Sequence, residues 1–229
     1  LESIDQRRGN IERVEAFRKT LAPPKYSFDS DPAYESYKGE LETSLKRGEQ
    51  TYGKYCSSCH GRPSFYKTWD WGEEVNHSLL GQITPWEEIR TDRRRLDSYS
   101  DELVEGLVGL VQKSIPNPKF KKIEGYKNVD LRGIVFRAPY GHAGSIPTLA
   151  ALLTDESLRP SRFRTGVDIM DHKEGGYLYK DEDFMDPETY HLFDTSLEGN
   201  GNRGHSGAKY GTNLAPAKKV DLIRFLKTL

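Results

Sequence analysis

Residues 55–61 read YCSSCHG, and they hold both cysteines of a 229-residue chain. Cys56 and Cys59 stand three apart with His60 directly after, the spacing by which c-type haem is attached. In that chemistry two thiols add across the vinyl groups of the porphyrin, and the histidine swings under the ring to bind iron. Two other uses of paired thiols fit less well. A redox dithiol of the C-x-x-C kind wants a strand-to-helix setting within an alternating α/β pattern, which this sequence lacks. A structural zinc site needs two more ligands from a second pair, and no further cysteine exists. The stretch therefore reads as the attachment site of one covalent haem c, held by Cys56, Cys59 and His60. It also implies a periplasmic or otherwise extracytoplasmic location, where such attachment takes place.

Hydrophobic residues make up only 35% of the chain, so a core built from side chains alone is lean. A covalent haem supplies the missing apolar bulk. The 34 Lys and Arg nearly cancel the 35 Asp and Glu, so global charge does not steer the protein to nucleic acid or to a membrane surface. No stretch approaches the roughly 20 apolar residues of a membrane helix, which argues against a transmembrane segment. Residues 1–20 also lack a secretory signal, which suggests a mature or excised product.

Working outward from the motif, apolar spacing predicts a helix from about Leu41 to the cysteines, with Leu45, Gly48, Tyr52 and Tyr55 on one side. Upstream, Ile11, Val14, Phe17 and Leu21 recur at helical spacing before Pro23-Pro24 stops the pattern. Residues 25–40 are polar and turn-rich, like a linker. Downstream, residues 62–95 read as loops bearing Trp69, Trp71 and Trp86, whose bland role is to wall a pocket. Short helices are expected at Asp101–Gln112 and at 146–153, the latter with Pro147 in its first turn. The clearest helix starts at Pro216, with Val220, Ile223, Leu226 and Leu229 on one face. Between Thr154 and Asn213 the chain makes a long excursion punctuated by glycine and aspartate, far beyond an ordinary connection. The expected fold class from these elements is mainly α, with helices gathered around a covalent haem.

The use of a haem depends on what holds its second axial position. His77, His142, His172, His191, His205, Met170 and Met185 are the available side chains. His142, in RAPYGHAGSIPTL, and His205, in DTSLEGNGNRGHSG, lie in glycine-rich loops that permit close backbone approach to a flat ring. A surface turn is the competing reading for each. Arg132 and Arg137 flank an apolar stretch, and one of them is a reasonable partner for a haem propionate.

The succession LAPPKY, YCSSCHG, TPWEEIRTDRRR, LRGIVFRAPYGHAGSIPTL, RPSRF, DTSLEGNGNRGHSG and DLIRFLKTL resembles the bacterial di-haem cytochrome c peroxidase-like superfamily. It is most similar to the branch containing haem-dependent rubber oxygenases. The resemblance covers nearly the whole chain as scattered islands. It implies a C-terminal haem domain at residues 41–229, a mainly α, cytochrome c-like helical domain around a covalent haem with long loop insertions, with residues 1–40 forming the last helix of a preceding domain plus a linker. By the same matching His60 is the proximal ligand, His205 the distal ligand, and Pro139 and Tyr140 line the pocket. His142 becomes a neighbour of the haem edge. Only one CxxCH is present, so a di-haem cycle needs a redox partner protein or a second haem domain in a larger chain or complex.

The functional expectation is electron transfer through a six-coordinate, bis-His haem within a peroxidase- or oxygenase-like assembly. One alternative makes this haem catalytic, with an open distal side and His142 aiding peroxide or oxygen cleavage as an acid-base group. Another makes the haem a structural module that holds a partner subunit.

Overall fold

The computed structural model describes residues 4–61, 81–112 and 117–229. His77, Trp69 and Trp71 lie outside the described residues, as do parts of the 62–95 segment.

Among the described residues the α-helices are α1 (Ile4–Thr20), α2 (Tyr34–Tyr37), α3 (Leu41–Tyr55), α4 (Ser57–His60), α5 (Trp86–Ile89), α6 (Arg94–Asp97), α7 (Asp101–Val111), α8 (Leu149–Leu152) and α9 (Pro216–Leu226). None of the described helices is long and apolar enough to cross a membrane. Helix α1 forms where its spacing indicates and ends before Pro23-Pro24, yet Ile11, Val14, Phe17 and Leu21 are each more than half exposed.

The core forms where α3 crosses α9. Gly48 lets the two backbones approach, because a Cβ there would overlap the carbonyl oxygen of Asp221 and lie 2.6 Å from the Cβ of Phe225. The crossing is locked by polar groups. The carboxylate of Asp221 accepts from Ser44 Oγ at 2.6 Å and from Arg47 Nε at 2.6 Å. The buried face of α9 is wider than its apolar spacing indicates. Leu222 and Phe225 are buried beside Ile223 and Leu226, whereas Val220 is exposed. Each such buried apolar side chain stabilises the fold by roughly 2–3 kcal/mol. Tyr140, Ile146, Leu149 and Leu153 complete the cluster.

The stretch between α7 and α9 overturns the expectation of a mainly α, helical cytochrome. From Asn117 to Ala215 the only α-helix is the four-residue α8, and the described residues contain three two-stranded antiparallel sheets. These pair β1 (Ile83–Pro85) with β2 (Gly125–Lys127), β3 (Arg162–Thr165) with β6 (His191–Asp194), and β4 (Met170–Asp171) with β5 (Gly176–Tyr177). Frequent glycine and proline prevent helix propagation here, so backbone groups pair across short strands instead. The long excursion is thus folded rather than looped. Phe163 stacks on Phe193 across β3 and β6 with ring centres 5.2 Å apart. Buried Arg164 donates to Asp181 at 2.8 Å and to Glu188 at 2.6 Å, tying the far turns to the sheet.

Two local expectations also change. Pro147 precedes α8 rather than joining it, because the Thr148 hydroxyl caps the helix by accepting from Ala151 N at 3.1 Å. The described part of the supposed loops of 62–95 contains β1, α5 and the start of α6.

Candidate haem site

Helix α3 delivers the CxxCH turn. Tyr52, 1% exposed, packs on Phe225 with ring centres 5.4 Å apart and donates its hydroxyl to the carbonyl of Gly61 at 2.8 Å. The residue after His60 is thereby tied to the helix crossing. Cys56 ends α3 and packs against the core cluster, while Cys59 lies one turn on. Neither cysteine forms a disulfide. Burial, with the neighbouring Cys59 adding to it, pushes the Cys56 thiol up to about 12. A redox dithiol needs a lowered thiol pKa, so the environment of Cys56 opposes that use.

His60 Nδ1 lies 2.8 Å from the carbonyl oxygen of Val129. A carbonyl only accepts, so Nδ1 carries the proton and a neutral ring keeps its lone pair on Nε2. Burial lowers the pKa of His60, favouring this neutral form.

His60 shares a cavity of about 120 Å³ with Cys59, Thr84, Ile89, Tyr126, Lys127, Asn128, Val129, His205 and Tyr210. His205 arrives from the other end of the chain. Its backbone is left-handed, at φ 47°, and its amide donates to the carbonyl of Ile89 at 2.8 Å. The preceding Gly204, at φ 80°, passes so close to Ile89 that a Cβ would lie 2.5 Å from that carbonyl. The ring of His205 packs on Tyr210 with centres 4.5 Å apart, and its buried Nδ1 has no hydrogen-bond partner. Burial lowers its pKa to about 4, with the facing His60 contributing.

The donor set fits haem c. Two free thiols and an oriented imidazole occupy one turn, and a second imidazole shares the cavity with an unsatisfied buried nitrogen. The cavity itself is smaller than the usual range for drug-sized ligands, so a macrocycle requires its walls to part. Those walls include Asn128 and Val129, which lie in the connection after β2, the kind of backbone that shifts most readily.

The other sequence-derived residues are dispersed. Arg137 donates to the carbonyl of Asp130 at 2.7 Å, and its charge helps to lower the pKa of His60. Arg132 is engaged by the carboxylate of Asp130 at 3.1 Å. Pro139, after a cis peptide bond, borders a separate cavity beside Phe163 and Tyr177. Tyr140 is buried in the core, where its hydroxyl donates to the carbonyl of Ile134 at 3.0 Å. His142 is not on the haem-site cavity. Its ring stacks on Tyr126, which is, with centres 4.9 Å apart. Sequence reasoning missed Thr84, Ile89, Tyr126, Asn128, Val129 and Tyr210, whose residue types carry no motif. It also passed over the individual role of Arg159, although RPSRF marked its surroundings.

Residues 125–164 match the family described as RoxA-like, cytochrome c-like. The match runs from β2 into β3, including Val129, Arg137, His142 and Arg159. Two uncharacterized proteins of Sinorhizobium fredii are also similar. The one designated y4iJ is 27% identical over 83% of this chain and 40% of its own length. The other, y4iM, is 27% identical over 94% of this chain and 53% of its own length. The chain thus spans about half the length of the curated relatives it matches, or less. With the matched segment supplying Tyr126 and Val129 to the cavity beside CxxCH, the chain carries a cytochrome c-like region similar to RoxA-like domains, a kind of domain that binds haem c.

Proposed function

We propose that this chain is a c-type cytochrome domain that transfers electrons through a six-coordinate haem, with His60 and His205 as its axial ligands. The observation that carries the proposal is the single cavity lined by both imidazoles, one with its tautomer fixed by Val129 and the other with a buried, unpartnered Nδ1. When bound, haem c supplies a one-electron iron centre. Cys56 and Cys59 would attach the ring covalently, and His60 would present Nε2 to the metal. The Nδ1 hydrogen bond to Val129 orients the imidazole and strengthens it as a donor. His205 would complete the coordination from its loop, and Ile89, Val129 and Tyr126 would keep water from the site. Arg137, close to His60, is the better placed of the two arginines for a propionate.

The larger assembly is a di-haem peroxidase- or oxygenase-like protein or complex outside the cytoplasm, in which another centre performs the chemistry. The resemblance in the sequence islands and the greater length of the relatives support this reading. The catalytic alternative draws no support from His142, which reaches the cavity only through Tyr126.

Optical and electron paramagnetic resonance spectra of the oxidised, haem-loaded chain test the proposal, followed by reduction under carbon monoxide. A low-spin ferric signal with no carbon monoxide adduct is expected. High-spin iron that binds carbon monoxide would sink the bis-His assignment and move catalysis to this site.

A further inference from the structure

Arg159 is 6% exposed, and all five of its N–H donors go to backbone carbonyls. Nε donates to Thr154 at 3.2 Å, and Nη2 donates to Leu152 at 3.3 Å. Those two carbonyls close the C-terminal end of α8, where helix carbonyls lack intrahelical partners. The remaining donors reach the loop that bears His205: Nη1 to Asn202 at 2.6 Å and Gly204 at 2.8 Å, and Nη2 to His205 itself at 3.1 Å. No carboxylate is among these partners. The guanidinium is a strut from the hydrophobic core at Leu149 and Leu153 to the histidine loop.

That loop needs holding. His205 adopts a left-handed backbone unusual for a residue with a side chain, a conformation that persists only where surrounding contacts over-determine it. Arg159 grips the carbonyls on one side, while Ile89 accepts from the His205 amide on the other. Glu156 adds a third tie by accepting from Gly204 N at 2.7 Å. Removing the guanidinium would strand three loop carbonyls within four residues of sequence, and the chain would relax to bring them to water.

We infer that Arg159 is a positioning residue that sets the His205 imidazole at the cavity, so that it governs the integrity of the second axial bond without touching the iron. This rests on the reading of His205 as a ligand. The role differs from plain stabilisation, because it acts on the coordination of each folded molecule.

Haem-loaded Arg159→Gln, Arg159→Lys and His205→Ala chains are compared with the wild type by optical and paramagnetic resonance spectra at equal haem content. His205→Ala is expected to lose the low-spin signal, and Arg159→Gln to lose about half of it or more. Arg159→Lys keeps an intermediate share, since an ammonium has three donors in place of a fixed fork of five. Added imidazole restores the low-spin signal in all three and leaves the wild type unchanged. Lowered melting temperatures with wild-type, imidazole-insensitive spectra in both Arg159 variants would overturn the inference while leaving His205 as ligand. A wild-type spectrum in His205→Ala would instead remove the ligand reading, and the positioning role with it. Where Arg159→Gln does not fold, Arg159→Lys carries the comparison, because it keeps both the charge and most of the stem.

Discussion

Gly48 and Asp221 meet backbone to backbone at the crossing of α3 and α9, with the carbonyl of Asp221 occupying the space that a side chain on Gly48 would need. Phe225 closes the same gap, and the CxxCH turn begins two turns of helix further on. The separation of these helices therefore sets where His60 stands.

Gly48→Ala is expected to destabilise the haem-loaded chain by about 1–3 kcal/mol, since the neighbour is backbone and cannot rotate away. Gly53→Ala, on the same helix with nothing within 4 Å, supplies the contrast. It gains helix propensity and is expected to be neutral or stabilising by up to about 1 kcal/mol. Denaturant unfolding of both variants measures the difference, and equal midpoints would refute close backbone approach at Gly48.

Gly204→Ala combines a positive φ with an overlap against the Ile89–Thr91 backbone. It is expected to push the histidine loop outward and convert low-spin iron to high-spin, as His205→Ala does, at a cost of about 1–3 kcal/mol in stability. An unaltered spectrum would mean that the loop does not need this close pass to deliver the ligand.

Covalent attachment is tested on a denaturing gel stained for haem. The double variant Cys56→Ala, Cys59→Ala is expected to lose the stain at the mass of the chain, and each single variant to show less of it. Persistent full staining of the double variant would contradict thioether attachment at these two positions.

Lys227 supplies a pH signature remote from the cavity. It is buried beside Tyr26 and donates to the carbonyl of His172, and burial lowers its pKa from 10.5 to about 8. Asp31 and Asp171 favour its charge, and Arg224 opposes it. Between pH 8 and 10.5 the unfolded chain binds more protons at this site than the native one, so the contribution of Lys227 to stability rises with pH across that window. Below it both states are protonated and the burial penalty is complete. The stability of the wild type relative to Lys227→Met should therefore improve by an amount on the order of 2 kcal/mol from pH 8 to pH 10. Parallel melting curves at the two pH values would refute the shift.

Helices at the start, the middle and the end of the chain were legible because each buries or presents a stripe at helical spacing, and proline marks their limits. Their packing was not. Ile223 and Leu226 enter the core as their spacing indicates, but Val220 stays exposed and Leu222 and Phe225, from the face packed near Gly48, are buried as well. The short strands of 162–194 escaped notice because two- to four-residue segments are too brief to show alternation, and Phe163 finds its partner Phe193 thirty residues away.

The proposed attachment of haem at Cys56, Cys59 and His60 rests on local sequence alone, because two thiols and an imidazole must lie within one turn to reach both vinyl groups and the iron. CxxCH is such a turn, and neighbouring residues suffice to specify it. The choice of a histidine to face His60 was different. His142 and His205 occupy similarly glycine-rich loops, and the residues by themselves left both open, with the family resemblance favouring His205; the tertiary structure runs His205 beside Ile89 into the cavity and stacks His142 on Tyr126. Long-range contacts made that distinction: an arginine some 46 residues from His205 grips the loop, and the carbonyl of Ile89, from another part of the chain, fixes its amide. No spacing encodes such contacts, since they depend on how the chain folds back on itself.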